Sequence, residues 1–145
     1  MRALFLSILL TLGLVAVAHA DTREYEKQEL MRYQKYAGAP VNEFSMVDLF
    51  RWQVVGPEKL VAWSTIRDAY LVTVDKPCIR LEWTNALSLT QAQKWKVSKS
   101  FDFVEFDKQR CKIMEIRPID LAALRKDNPQ KDDAKGALQE SATKH

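Results

Sequence analysis

The hydrophobic pattern of this chain changes period several times, and each change marks an element. The first stretch, Ala3 to Val17, is almost wholly apolar; it follows Met1-Arg2 and leads to Ala18-His19-Ala20. A positive start, a short apolar run and an A-x-A site together make a secretory signal peptide over residues 1–20. The run is shorter than the roughly 20 apolar residues a bilayer-crossing helix needs. The polar segment after it lacks a stop-transfer pattern, and no cysteine sits at the cleavage point. We therefore expect export, cleavage near Ala20-Asp21, and no stable membrane insertion afterwards.

From Asp21 to Ala37 the spacing is helical. Asp21 and Glu24 are placed like a capping box, Tyr25, Leu30, Tyr33 and Tyr36 fall roughly on one face, and Gly38 then Pro40 end the run. From Phe44 the period becomes two: Phe44, Met46, Phe50, Trp52 and Val54 share a parity that Asp48 interrupts, which predicts a half-buried strand. Gly56-Pro57-Glu58 is turn chemistry, and Leu60 to Trp63 and Ala69 to Val74 are further strands. The links between them are too short for parallel crossovers, so an antiparallel meander is expected. Cys78 to Trp83, Trp95 to Phe106 and Lys112 to Arg117 also alternate, with a parity slip at Phe103-Val104 and Pro118 closing the last strand. Asn85 to Lys94 fits either a helical turn or a loop, and Ile119 to Leu124 one helical turn.

These elements predict an α+β, mainly β domain over residues 21–124. An N-terminal helix packs on a five- or six-stranded antiparallel meander sheet, with the option of curling toward a barrel. Residues 125–145 lack large apolar side chains and read as a disordered polar tail. Formal net charge is +3, or +2 once Arg2 leaves with the signal, and bases are interleaved with acids. That is no dense basic face, and nucleic acid is not expected as a partner. Cys78 and Cys111 are the only cysteines. In an oxidising compartment a structural disulfide is the default, and a reactive thiol, with no C-x-x-C and no histidine in the domain, is the weaker alternative.

Candidate chemistry is sparse. With no core histidine and no EF-hand pattern around Asp132-Asp133, neither zinc nor calcium is expected, and the near absence of glycine leaves no phosphate-cradling loop. No cofactor is predicted. Asp48 and the Glu115, Arg117, Asp120 group are the polar residues that could form a site; an ion pair of Arg117 with one of the acids is the simpler reading, and a hydrolytic carboxylate pair the functional one. Aromatic content is the other conspicuous feature: Trp52, Trp63, Trp83 and Trp95, with Tyr70, Phe101, Phe103 and Phe106, are expected mostly in the core. One or two tryptophans, Trp63 or Trp95, exposed at a rim with Arg67 or Lys96, would make a binding surface for protein or glycan.

The run Tyr36-Ala37-Gly38-Ala39-Pro40-Val41, then Trp52, Val61-Ala62-Trp63, Asp68-Ala69-Tyr70-Leu71-Val72, Pro77-Cys78 and Leu87-Ser88-Leu89-Thr90 precede the closing Cys111-Lys112-Ile113-Met114-Glu115-Ile116-Arg117-Pro118-Ile119-Asp120. Together they resemble a family of small exported Gram-negative proteins catalogued as domain of unknown function 6491. The resemblance spans roughly Tyr36 to Leu121. It implies a Cys78–Cys111 disulfide and a periplasmic or secreted location, and brings no activity. Relatives tend to carry a glycine near Gln91 to Lys94, where this chain has none. The expected function is non-enzymatic binding of a protein or envelope component. The alternatives are a periplasmic inhibitor or immunity protein against an antibacterial effector, and a hydrolase using Asp48, Glu115 or Asp120.

Overall fold

The structure, a computed structural model, describes residues 15–127, with side chains from Arg23 onward. The expected signal peptide and polar tail therefore lie largely outside the described residues. Helix α1 (Val15–Lys35) starts six residues before Asp21. In the uncleaved chain no helix breaker separates Val15 from Asp21, so Asp21 does not begin the helix. At the other end the chain leaves the helix through a turn, in which Tyr36 and Ala37 donate N–H groups to the carbonyls of Tyr33 and Gln34.

The strands are β1 (Glu43–Ser45), β2 (Arg51–Gly56), β3 (Lys59–Trp63), β4 (Ala69–Val74), β5 (Ser88–Leu89), β6 (Lys96–Ser98), β7 (Phe103–Phe106) and β8 (Gln109–Ile119), followed by helix α2 (Leu121–Asp127). Six of them form one curled antiparallel sheet in the order β2-β3-β4-β8-β7-β5, and β1 pairs with β6. The β2-β3-β4 part is the expected meander. The β7–β8 hairpin turns on Asp107 and Lys108, both left-handed at φ 46° and 64°, as a two-residue loop matched to strand twist requires.

Strand β8 holds the sheet together, because both its edges are used along most of its length. One edge pairs with β4. The other is filled in succession: by β7 up to Lys112, by the Ser100 N–H and Asp102 carbonyl at Ile113, and by the Ala37–Val41 segment near its end. Gly38 donates to the Pro118 carbonyl at 2.7 Å and Val41 to that of Ile116 at 2.8 Å. The strand thus runs through Pro118 instead of ending there, since what the neighbouring segment needs from Pro118 is its carbonyl. Met114 is the extra residue of a bulge, with Thr73 opposite Glu115 and Val74 opposite Ile113. That bulge shifts the parity of β8, so that Ile113 and Ile116 both face the inner core.

The sheet separates two apolar layers. On the outer face, Val55, Val61, Trp63, Leu71 and Ile119 pack under Tyr33 of α1 and Leu121 and Leu124 of α2. On the inner face, Leu60, Ala62, Val72, Ile113 and Ile116 meet Phe44, Leu81, Val97 and Val104. The disulfide Cys78–Cys111 borders this inner core, with Cα atoms 5.8 Å apart.

Three strand expectations are corrected. The Phe44–Val54 strand divides, since β1 pairs with β6 while β2 pairs with β3, and Asp48 sits exposed where the chain changes partner. Cys78–Trp83 is not a strand: both edges of β4 are already occupied, and the chain enters a 3₁₀ turn at Leu81–Trp83 through left-handed Arg80 (φ 71°). Only Leu81 of the alternating trio is buried there; Ile79 and Trp83 face solvent. Trp95–Phe106 is two strands joined by a turn, which accounts for the parity slip.

Two outcomes follow. The disulfide closes a loop across 33 residues, so replacing both cysteines by serine costs about 4 kcal/mol on the chain-entropy relation, read from urea unfolding under oxidising conditions. Glu26 has its pKa raised, first by burial and then by the Glu82 carboxylate, against the lowering influence of Arg23. A raised folded-state pKa means that the destabilising charge is absent at acid pH and present once pH exceeds that pKa. Glu26→Gln should therefore raise Tm slightly at pH 7 and leave it unchanged near pH 3.

Candidate functional site

The polar residues that the sequence singles out are spread out and serve the chain itself. Asp48 is exposed in the β1–β2 connection, and Glu115 lies half-buried on β8 opposite Thr73. Arg117 donates from Nε to the Gly38 carbonyl at 2.8 Å. Asp120 caps α2: its carboxylate accepts the Ala123 N–H at 3.0 Å, while its own N–H donates to the Tyr36 carbonyl at 2.9 Å. No ion pair joins Arg117 to Glu115, Asp120 or Asp48 among the described residues. The Gly38 carbonyl, delivered by backbone pairing along β8, takes the place an acid would have had. Of the two tryptophans, Trp63 is 3% exposed, with the Arg51 guanidinium 4.0 Å from its ring centre and Tyr33 against its edge. It belongs to the outer core. Trp95 is 54% exposed.

A different carboxylate organises the surface around Trp95. Asp102 is fully buried, yet no cation pairs with it among the described residues. Its Oδ1 accepts the Ala92 N–H at 2.7 Å and the Thr90 hydroxyl at 2.9 Å, and its Oδ2 accepts the Ser98 N–H at 2.7 Å. Its backbone N–H donates to the Ser98 carbonyl and its carbonyl accepts the Ile113 N–H. Thr90 closes the network, because its Oγ1 also accepts the Phe103 N–H at 2.9 Å. A buried carboxylate is tolerated where several donors converge on it, and here those donors come from the loop before β6, from β6 itself and from the start of β5's exit. Both the 90–95 loop and the 99–101 turn are thereby fixed to β8.

What these segments hold outward is apolar and basic. Trp95 has a left-handed backbone, φ 62°, an uncommon state for a bulky residue. Gln91 holds it there: its side-chain oxygen accepts the Trp95 N–H at 3.0 Å, and its side-chain nitrogen donates to the Val47 carbonyl. The Trp95 carbonyl accepts the Met46 N–H at 2.9 Å, so the β1–β2 connection is tied to the same loop. Lys94 places its ammonium 4.3 Å from the Trp95 ring centre. The 99–101 turn, with Ser100 also left-handed and bonded through its N–H to the Ile113 carbonyl, presents Phe101 at 73% exposure. Trp95 was legible as a rim candidate; Asp102 was not, because a continuous strand over 95–106 hides the turn that buries it. The available signal was the polar triplet Ser98-Lys99-Ser100 just before it.

The remaining surface offers less. A shallow cavity of about 380 Å³ lies between the ends of α1 and α2, lined by Gln28, Met31, Arg32, Lys35, Tyr36 and Asp127. Its charges are engaged with one another or nearby: Lys35 pairs with Asp127 at 2.7 Å and Arg32 lies 3.9 Å from Glu29. No group of three or more His, Cys, Asp or Glu side chains that could share a metal ion occurs among the described residues.

Replacing Asp102 tests its role. Asp102→Ala strands three donors in a buried site and should cost more than 3 kcal/mol in urea unfolding, at about 1–3 kcal/mol per orphaned group. Asp102→Asn keeps an acceptor for two donors but turns an amide N–H toward Ser98, and should fall between wild type and alanine.

The two stretches most specific to the family resemblance, Ala37–Val41 and Cys111–Asp120, are the two that meet along β8. Neither the curated proteins nor the solved structures yield a match. A family model described as a family of unknown function (DUF6491) matches residues 1–135, and the chain belongs to that family.

Proposed function

We propose that the protein is a non-enzymatic binding protein of the cell envelope, and that it recognises its partner through the Trp95 loop and the Phe101 turn. The observation that carries this reading is Trp95: a large apolar ring, 54% exposed, on a left-handed backbone that a dedicated glutamine and a buried carboxylate hold in place. Left-handed geometry at a non-glycine residue costs roughly 1–2 kcal/mol. A local cost of this kind, borne by a residue whose side chain contributes little to either core, points to use of that side chain. The export signal expected over residues 1–20 supports a partner outside the cytoplasm. The engagement of Asp120 and Asp102 in capping and loop anchoring supports binding over carboxylate catalysis.

The decisive variant is Trp95→Gly, which removes the ring and relieves the backbone at once. It should gain up to about 1 kcal/mol in urea unfolding while losing the binding to isolated, unsolubilised envelope fragments that wild type shows. Loss of stability together with unchanged binding would show that Trp95 is a structural residue.

A further inference from the structure

We infer that the Trp95 loop and the Phe101 turn dock reversibly on an anionic lipid bilayer. This deepens the binding reading above and rests on it.

The charge of the segment is one-sided. Residues 91–101 carry Lys94, Lys96 and Lys99 and no acid. Of the nearby acids, Glu43 is paired with Lys96 and Asp102 is fully buried with both oxygens occupied, while exposed Asp48, next to Val47, offsets the charge of Lys94 and Lys99 only in part. The apolar members are Trp95, Phe101 and Val47, the last 67% exposed and bonded through its carbonyl to Gln91. Aromatic rings interleaved with lysines are the composition that settles at the headgroup level, where the rings reach the acyl boundary and the ammonium groups stay at the phosphates.

The geometry keeps the pieces together. Trp95 is three residues from Ala92 and three from Ser98, both bonded to the Asp102 carboxylate, and Phe101 adjoins Asp102 in sequence. Chain reach therefore bounds the separation of Trp95 and Phe101 at about 20 Å, one footprint on a membrane. A glycan reader would instead need unoccupied hydrogen-bonding groups beside the ring. The Gln91 amide and the Asp102 carboxylate are both engaged within the loop, so of the amide and carboxylate side chains in residues 91–102 only exposed Gln93 could serve that purpose. No helix among the described residues is long and apolar enough to cross a membrane, and a few rings and lysines give the weak, salt-sensitive attachment of a peripheral protein.

The test is co-sedimentation of the chain, as processed on secretion by its expression host, with phosphatidylethanolamine vesicles that either contain or lack phosphatidylglycerol. Binding should require phosphatidylglycerol and weaken with added salt. It should fall roughly fivefold for each of Lys94→Gln and Lys99→Gln, and about tenfold or more when Trp95→Gly is combined with Phe101→Ser. Urea midpoints of the variants establish that they are folded. Equal binding to vesicles without phosphatidylglycerol, or binding indifferent to these substitutions as an upstream apolar segment would give, overturns the inference. No vesicle binding alongside Trp95-dependent capture of a protein or glycan from envelope extract overturns the lipid assignment and leaves the binding reading standing. Loss of both overturns both.

Discussion

The constraint on which this structure depends is the backbone of β8. An eleven-residue strand in the middle of a sheet exposes two rows of polar groups, and burial requires that nearly all of them be paired. β4 satisfies one row. The other is too long for β7 alone, and the chain completes it with the β6–β7 turn and with Ala37–Val41. Fixing those two segments has further effects. The Ala37–Val41 segment sets where α1 leaves the outer face and delivers the Gly38 carbonyl to Arg117. The turn brings Asp102 into the interior, and Asp102 in turn fixes the loop that carries Trp95.

That chain of dependence explains why the exposed aromatics need not be accidents of composition. Scattered apolar residues on a surface are ordinary. Trp95 differs because its exposure is built from the inside outward. A buried carboxylate holds the Ala92 and Ser98 N–H groups, a glutamine side chain holds the Trp95 N–H, and the β1–β2 connection bonds its carbonyl. A ring presented on such a frame loses little conformational entropy when it meets a partner. The carboxylate and amide groups of that frame face inward and are already paired.

Much of the architecture was legible in the alternation of residues. The β2-β3-β4 meander, the closing strand and the helix ending before Gly38 follow from period, turn chemistry and breakers, and the mainly β class follows with them, while the disulfide follows from two cysteines in a chain expected to be exported and from the family resemblance. What alternation could not give was which strand edges remain open. Cys78–Trp83 alternates like a strand, but β4 had no edge left for it. Phe44–Val54 and Trp95–Phe106 each read as one strand, despite the interruption at Asp48 and the slip at Phe103-Val104, yet each changes partner midway. The bulge at Met114 was likewise invisible, although it decides which side chains of β8 face the core. The site followed the same division. Trp95 was visible by type, whereas Asp102 depended on recognising a turn, and Arg117 and Asp120 found backbone partners that no pairing of charges predicts.

The 90–102 region is thus a rigid platform anchored by Asp102 rather than a loose surface loop. Native-state amide hydrogen exchange resolves this directly. The Ala92, Ser98 and Phe103 amides, all bonded to Asp102 or Thr90, should exchange only through openings nearly as costly as those that expose the β8 amides. Exchange of these three at rates close to those of an unstructured chain, while β8 remains protected, would contradict the account.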